Sequence, residues 1–206
     1  MRYRGKLPIV TIVILALNVV GLIYEYSVGE RVAVYTYGMY QGALQDGEYL
    51  RAIVSAFLHF GLYHFGSNMI CLVLYGLSLE NRIGWWKYAL VYAAGIVGSA
   101  LLVNFAGGNG IHAGASGAIW ALMTATLVYN LRNKLNPFYA LRGILLNLVY
   151  SFSAGVSWQG HIGGGIAGLL ASFALCWNNN NRSKVRALYP QEDPWQRNDP
   201  DDSSGY

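Results

Sequence analysis

Six apolar segments alternate with short polar connections along this chain, and each is close to the length that a helix needs to cross a membrane. We number them as spans one to six. They are Leu7 to Tyr24, Tyr63 to Leu79, Trp86 to Phe105, Ser116 to Tyr129, Phe138 to Phe152 and Trp158 to Trp177. Spans four and five are short, and they cross only if their flanks extend them or the bilayer is locally thin. The pattern predicts an all-α membrane protein with a bundle of six transmembrane helices.

Composition and charge agree with a chain that crosses the membrane several times. The 206 residues are 54% hydrophobic and 12% charged, and the charges cluster between the apolar segments. Of the 14 Lys and Arg residues, all but Arg31 and Arg51 fall on one side of the predicted spans. The positive-inside rule then predicts that both termini are cytoplasmic. That rule also accounts for the net charge of +4, so we expect no nucleic-acid partner.

The two ends of the chain carry separate predictions. Span one is longer than the core of a typical signal peptide and no small-residue cleavage site follows it, so we expect a retained helix. Residues 178–206 contain three prolines among acidic and polar residues. Such a composition cannot build a packed core, so it predicts a disordered cytoplasmic tail. Residues 1–177 are then expected to form one domain in the membrane lipid.

The unusual polar residues of spans two, four and six gather at one predicted depth, whereas spans one, three and five offer Asn18, Asn104 and Asn147. Spans two, four and six all run from the outside to the inside, so their N-terminal ends lie together near the outer leaflet. Span two opens with His64 and Asn68, span four with Ser116 and span six with His161. No Asp or Glu lies in the interior of any predicted span. Polar groups at membrane depth usually face each other or a cavity, so this cluster predicts a functional site.

A hydroxyl and an imidazole in this cluster favour nucleophilic catalysis. Serine is a weak nucleophile at neutral pH and needs an adjacent base, a role that suits the pKa of histidine. Gly164 and Gly168 lie on the same helical face as His161. Small residues such as these and Gly117 let two helices approach closely. The approach would bring Ser116 and His161 within hydrogen-bond reach, although each motif taken alone is more typical of helix packing.

Three sequence blocks resemble the rhomboid family of intramembrane serine proteases, of the compact six-helix bacterial type. The segment Gly114-Ala115-Ser116-Gly117 matches the family's GxSG nucleophile motif. The segment Gly160-His161-Ile162-Gly163-Gly164 matches the histidine motif of the sixth helix, and His59 to Asn68 matches the HxxxxHxxxN block of the second. Gly47 to Arg51 resembles the GExWR stretch, with Leu50 in the place of tryptophan. The resemblance extends to about Trp177.

The resemblance implies a serine endopeptidase of the bacterial inner membrane that needs no cofactor or metal. Its substrates would be transmembrane proteins, cleaved near the outer leaflet. Ser116 would be the nucleophile and His161 the general base of a dyad. His64, Asn68 and the Ser116 N–H would stabilise the oxyanion. Trp120 would stack on His161, where the family usually has tyrosine.

The two other histidines are given structural interpretations. The resemblance implies that His59 ties down the first loop, residues 25–52. His112 lies in a glycine-rich loop before Ser116, so we expect a solvated side chain and a nearly neutral His112→Ala substitution. The four histidines make a poor metal site because no intramembrane carboxylate or HExxH motif accompanies them. The lack of a membrane-embedded Asp argues against an aspartyl protease.

Substrates are expected to reach the site from the lipid, between spans two and five. Span five is short, carries Phe138 at one end and Tyr150 and Phe152 at the other, and has no catalytic residue, so it is the predicted gate. Two other functions fit less well. A catalytically silent rhomboid-like protein that binds membrane clients would generally lack the serine or the histidine, and a small transporter would spread polar residues through the membrane depth. The sequence carries no prediction of the oligomeric state.

Overall fold

A computed structural model describes residues 7–151 and 157–175, apart from the side chain of Tyr150. These residues form eight α-helices and one 3₁₀ turn. The helices are α1 (Ile9–Val28), α2 (Glu30–Tyr37), α3 (Arg51–Val54), α4 (Gly61–Ile83), α5 (Trp85–Ala106), α6 (Ser116–Arg132), α7 (Phe138–Ser151) and α8 (Trp158–Leu175), and the 3₁₀ turn covers Ser55–Phe57. The all-α prediction is confirmed for this part of the chain.

Each predicted span corresponds to one of the longer helices, namely α1, α4, α5, α6, α7 and α8. Within the described ranges, three of them, α1, α4 and α5, are long and apolar enough to cross a membrane. The apolar part of α7, Phe138–Val149, is shorter. The count of six spans and the cytoplasmic position of the termini therefore stay predictions.

Large apolar side chains cover the outer surface of the bundle. Ile23 of α1, Ile70 of α4, Val97 of α5 and Val149 of α7 are all more than half exposed. A soluble protein rarely exposes so much apolar surface, because water disfavours it. Lipid does not disfavour exposed apolar surface. This surface and the apolar helices therefore indicate an integral membrane protein.

Glycine residues separate consecutive helices where the chain turns sharply. Gly29 lies between α1 and α2 with a φ of 94°, and Gly84 lies between α4 and α5 with a φ of 87°. Residues with a Cβ rarely adopt this left-handed region, so glycine ends each helix and lets the next begin at once.

Helix α6 lies at the centre of the fold, in contact with α4, α5, α7 and α8. A methyl group on Gly164 of α8 would overlap the backbone of Gly117, and one on Gly168 would overlap Ala121. On its other flank, α8 meets Gly98 of α5 just as closely. The predicted small-residue contact between spans four and six is present, and it holds the start of α6 against the start of α8.

Two buried carboxylates correct the expectation that no Asp or Glu lies inside a span. Helices α1 and α4 run past their predicted ends, so Glu25 and Glu80 fall in their last turns. Glu80 accepts hydrogen bonds from the backbone N–H of Val10 at 2.9 Å and of Thr11 at 2.8 Å, which caps the first turn of α1. Glu25 accepts one from the backbone N–H of His59. Since N–H partners compensate for burial, a carboxylate is tolerated in each place.

The first loop has more structure than the sequence predicts. It contains α2, and the Arg51 guanidinium donates to the carbonyl oxygens of Tyr35 at 3.0 Å and Gly38 at 2.9 Å. Met39 pairs with His112 through two backbone hydrogen bonds of 2.8 and 2.7 Å. The loop is thereby joined to the segment that leads into α6.

Candidate active site

Ser116 is the first residue of α6. The segment before it contains Gly114, whose backbone conformation only glycine adopts readily. Gly114 has a φ of 133°, and a methyl group there would lie 2.8 Å from Cε1 of His64. The Gly114 N–H donates to the Ser55 carbonyl at 2.9 Å, which attaches this segment to the 3₁₀ turn. Ser116 thus lies at the N-terminus of a 17-residue helix, where free backbone N–H groups and the helix dipole favour negative charge.

Two side-chain donors of α4 converge beside Gly114. The Phe60 N–H donates to Nδ1 of His64 at 3.2 Å. Because a backbone N–H only donates, the neutral ring carries its hydrogen on Nε2. A Cβ on Gly114 would lie 3.0 Å from His64 Nε2 and 3.7 Å from Asn68 Nδ2. The space beside Gly114 therefore faces two N–H donors.

Asn68 has an unusual donor for a buried side chain. Its Nδ2 is buried and lacks a hydrogen-bond partner among the described residues. Buried donors are almost always paired, and an exception often marks a catalytic site. With His64 Nε2 nearby, Asn68 forms the kind of preorganised donor pair that stabilises a developing oxygen anion.

His161 occupies the first turn of α8 and is 5% exposed. Trp120 of α6 stacks on its ring, with 5.5 Å between the ring centroids and 20° between the planes. Nδ1, at the edge of the ring, forms a hydrogen bond of 2.5 Å with the Ser151 hydroxyl of α7. The bond from His161 to Ser116 stays a prediction, and such bonds are often long in a free enzyme.

His59 is fully buried beneath the oxyanion donors. Its ring meets that of His64 edge-on at 5.2 Å and that of Phe65 at 5.3 Å. Burial, and to a lesser extent the neighbouring His64, lower the pKa of His59 to about 3. His59 is therefore neutral at physiological pH and packs as an aromatic ring, with its backbone held by Glu25.

His112 is not the solvated side chain that the sequence predicts. Its Nε2 donates to the Gly107 carbonyl at 2.9 Å, and its Nδ1 accepts from the Ser157 hydroxyl at 2.7 Å. Ser157 also accepts from the Gly160 N–H at 3.2 Å, at the start of α8. Burial lowers the pKa of His112, so the neutral ring is favoured. His112 therefore joins the segment before Ser116 to the helix that carries His161.

A small polar cavity lies beside Ser116. Its volume is about 30 Å³, and Ser55, Ser99, His112 and Ser157 contribute to its lining. One water molecule needs roughly 10 to 15 Å³, so the cavity has room for one or two. Hydrolysis of a covalent intermediate on Ser116 would need water at this place.

The predicted gate residues are only partly within the described structure. Phe138 begins α7 and is 60% exposed. The Tyr150 side chain and the whole of Phe152 lie outside the described residues. At the same end of α7, the contact between Ser151 and His161 corrects the expectation that span five carries no residue of the site.

Sequence reasoning missed three serines of the site, namely Ser99, Ser151 and Ser157. Serine is common near the ends of apolar segments and donates to nearby carbonyls there, so composition alone gives no signal. Ser157 lies three residues before Gly160, which is a spacing suited to capping α8, and that pattern could have identified it.

Comparisons with known proteins match the part of the chain that contains this site. A family model described as "Rhomboid domain" matches residues 46–178, which is more than half of the chain. "Rhomboid-type serine protease 2" of Emericella nidulans is 35% identical over 147 residues, covering 66% of this chain and 29% of the relative. "Rhomboid protease GluP" of Bacillus subtilis is 34% identical over 140 residues, covering 64% and 27%.

A plant relative matches over a similar stretch. "RHOMBOID-like protein 5" of Arabidopsis thaliana is 31% identical over 141 residues, covering 64% of this chain and 46% of the relative. The chain therefore spans less than half of the length of each of these three relatives.

Proposed function

The chain belongs to the rhomboid family, and we propose on that basis that it is an intramembrane serine endopeptidase. The proposal holds that residues 1–177 form the protease domain, with six spans and both termini in the cytoplasm. Its substrates are membrane-spanning segments of other proteins, cleaved near the outer leaflet. The bacterial type of the sequence motifs favours the inner membrane as its location.

The observation that carries the proposal is the pair of free N–H donors beside the nucleophile segment. His64 Nε2 and Asn68 Nδ2 both approach Gly114, two residues before Ser116. Asn68 Nδ2 is buried and has no acceptor among the described residues, so it is available to a substrate oxygen. A peptide carbonyl attacked by Ser116 would place its developing oxyanion between these donors.

The proposed reaction is acyl transfer through a serine–histidine dyad. His161 accepts the proton of the Ser116 hydroxyl as that oxygen attacks the scissile carbonyl. The same proton then passes to the leaving amine, and the acyl group stays on Ser116. A water molecule, activated by His161, releases the acyl group and restores the serine. His64, Asn68 and the Ser116 N–H stabilise the negative oxygen in both steps.

Substrate access is proposed from the lipid, between α4 and α7. The inner part of α7 packs on α4. The ring centroids of Tyr139 and Tyr75 lie 5.2 Å apart, and the Tyr75 hydroxyl leaves no room for a Cβ on Gly143. The outer part of α7 presents exposed Leu146 and Val149 to the lipid. Displacement of this outer part would open a path to Ser116 for a locally unwound segment.

The proposal is tested with the purified full chain in detergent and a single-span substrate protein. We expect one cleavage within or near the outer end of the substrate's span, mapped by mass spectrometry. Ser116→Ala and His161→Ala should each abolish it, and the double variant should be no worse than either, because the pair acts as a unit. Ser172→Ala is the matched control and should keep wild-type turnover.

A fluorophosphonate probe provides an independent readout, because it labels an activated serine without a protein substrate. It should label the wild type at Ser116. Cleavage that persists in Ser116→Ala, or labelling at another serine, would contradict the assignment. A folded wild type that binds membrane proteins but neither cleaves nor reacts would instead be the silent, client-binding kind of rhomboid-like protein.

A further inference from the structure

Ser151, the last residue of α7, contacts the proposed base through a hydroxyl that has two partners. Its Oγ lies 2.5 Å from Nδ1 of His161. The same oxygen lies 2.7 Å from the carbonyl oxygen of Asn147, one turn earlier in α7. The side chain of Ser151 is buried, and it carries only one hydroxyl hydrogen for these two bonds.

When both contacts are hydrogen bonds, the chemistry of the partners determines their direction. A carbonyl oxygen only accepts, so the bond to Asn147 uses the single hydroxyl hydrogen of Ser151. The Ser151 oxygen then meets His161 with its lone pairs, and Nδ1 must supply the hydrogen. In a neutral imidazole, a hydrogen on Nδ1 leaves Nε2 unprotonated. The lone pair that accepts a proton is therefore on Nε2.

We propose that Ser151 is a positioning residue that holds His161 in the Nδ1–H tautomer, with Nε2 free to take the proton of Ser116. The inference rests on the proposed function and deepens it. Serine proteases with a triad use a buried carboxylate for this purpose. In this chain the acceptor is the neutral oxygen of Ser151, itself oriented by the Asn147 carbonyl.

The proton balance of the reaction is consistent with this role. The Ser116 proton moves to Nε2 of His161, while the hydrogen on Nδ1 stays there and remains bonded to Ser151. The ring is then positively charged, and a hydrogen bond to a charged donor is stronger than one to a neutral donor. The contact therefore strengthens as the transition state forms, which is the requirement for catalysis. Nε2 next delivers the proton to the leaving amine.

Among the residues that the structure describes, the other groups near the site do not take this role. The two buried glutamates are occupied elsewhere, Glu25 by the His59 N–H and Glu80 by the first turn of α1. Trp120 covers a face of the His161 ring, so it restrains the tilt of the plane but offers no acceptor in that plane. Ser151 meets the ring edge. Stacking and the edge contact together determine both the tilt and the rotation of His161.

The contact also joins the base to the proposed gate. Ser151 belongs to α7 and His161 to α8, so a substrate that displaces the outer end of α7 separates the two side chains. His161 would then lose its in-plane acceptor while the path is open. Full activity returns only when α7 comes back, so the protein performs chemistry after the substrate has settled and not during its passage.

The test compares substitutions at Ser151 with a matched buried serine. Ser151→Ala removes the acceptor, and Ser151→Thr keeps a hydroxyl that can bond the preceding turn. Ser172 of α8 is fully buried and donates to the Gly168 carbonyl at 2.6 Å, a bond of the same local kind that involves no histidine. Ser172→Ala thus controls for the loss of a buried helical hydroxyl.

We expect Ser151→Ala to lower kcat by about 10- to 100-fold, part of the roughly 100- to 10,000-fold that a general base supplies. KM should change little, Ser151→Thr should recover most of the loss, and Ser172→Ala should match the wild type. Nitrogen-15 NMR of histidine-labelled protein reads the tautomer directly, with His161 assigned by its loss in His161→Gln. Wild type should show hydrogen on Nδ1, and Ser151→Ala a mixture of tautomers.

A wild-type His161 with its hydrogen on Nε2 would overturn the inference, as would wild-type kcat and an unchanged tautomer in Ser151→Ala. A wild type that cleaves nothing contradicts the proposed function instead, because the tautomer of His161 is measured without a substrate. If Ser151→Ala does not fold, the wild-type tautomer and the turnover of Ser151→Thr still test the inference.

Discussion

The α6–α8 pair and helix α7 meet at the same site but are attached to the bundle in opposite ways. Backbone touches backbone between α6 and α8, where Gly164 and Gly168 leave no room for a methyl group. By contrast, the outer end of α7 exposes Leu146 and Val149 and reaches the site through the Ser151 hydroxyl.

Under the proposed function, in which the substrate arrives through lipid, the difference separates two requirements. Chemistry needs a nucleophile and a base that keep their geometry, and a close glycine interface provides it. Access needs an element that moves at little cost, and a helix with few fixed contacts at one end provides that. We therefore treat α6 and α8 as the platform and the outer part of α7 as the moving part. This division predicts large losses of activity from changes in the platform and smaller effects from changes in the moving part.

The largest effect is expected from Gly164→Ala, which forces apart the platform. The added methyl group would overlap the backbone of Gly117, and backbone cannot rotate away. We expect cleavage to be lost and thermal stability to fall. Gly66→Ala in α4 is the matched control, since nothing lies within 4 Å of the added group, and it should keep wild-type activity and stability. Equal losses in both variants would show that close packing is not the reason.

Asn68→Ala should lower kcat by about 100- to 1000-fold, the usual cost of losing one oxyanion donor. KM should change less, because the bond to the oxyanion forms only in the transition state. Steady-state kinetics on the single-span substrate measures both constants. A raised KM with unchanged kcat would make Asn68 a substrate-binding residue instead.

His112→Ala should reduce thermal stability and lower turnover by about tenfold, since it removes two hydrogen bonds worth roughly 1 kcal/mol each. This revises the nearly neutral effect that the sequence predicts. The bridge from Gly107 to Ser157 attaches the nucleophile segment to α8, so the loss belongs to the platform. Thermal unfolding and kcat are measured together. Wild-type thermal stability and wild-type kcat in this variant would show that the hydrogen bonds of His112 do not support the platform.

Substitutions in the moving part should have smaller effects, of the opposite sign. Tyr150→Ala or Phe152→Ala should raise the cleavage rate if displacement of α7 limits turnover. The rate at which a fluorophosphonate labels Ser116 should change less, because a small probe reaches Ser116 without displacement of α7. Slower cleavage in both variants would mean that these side chains support the site and do not close it.

The smallest effect concerns pH. The unfolded chain binds a proton at His59 below about pH 6.5, whereas the folded protein does so only near pH 3. Protons therefore favour the unfolded chain, and the free energy of unfolding should fall as the pH drops from 6.5 towards 3. His59→Phe keeps an aromatic ring and should flatten this dependence. An identical slope in the variant would assign the effect to other groups.

The sequence is a good guide to those parts of the molecule that depend on local pattern. Apolar runs locate the six long helices, and the Gly-Ala-Ser-Gly segment predicts that α6 begins at Ser116, as it does. The small residues of α6 and α8 also predict their contact. These features follow from hydropathy and side-chain size, which are properties of each residue and do not depend on its partners in the fold.

The missed features depend on partners that are far apart in the chain. Glu80 is tolerated inside α4 because it caps α1, 69 residues away from it at Thr11. His112 is half-buried and bonds to Ser157, 45 residues later, and its ring nitrogens are satisfied only in the folded protein. Ser151 gains its role because α7 ends beside His161. Neither spacing nor composition predicts these contacts. The predictions from the sequence therefore failed at polar residues whose partners lie far away in the chain.

The division between platform and moving part is tested most directly by cross-linking α7 to α4 at their outer ends. Cysteine pairs would be introduced in a background of Cys71→Ala and Cys176→Ala, and the cross-link confirmed by mass. We predict that the cross-linked protein still labels Ser116 with a fluorophosphonate near the wild-type rate but no longer cleaves the single-span substrate, and that reduction restores cleavage. Full cleavage with the cross-link intact, or loss of labelling together with cleavage, would contradict it.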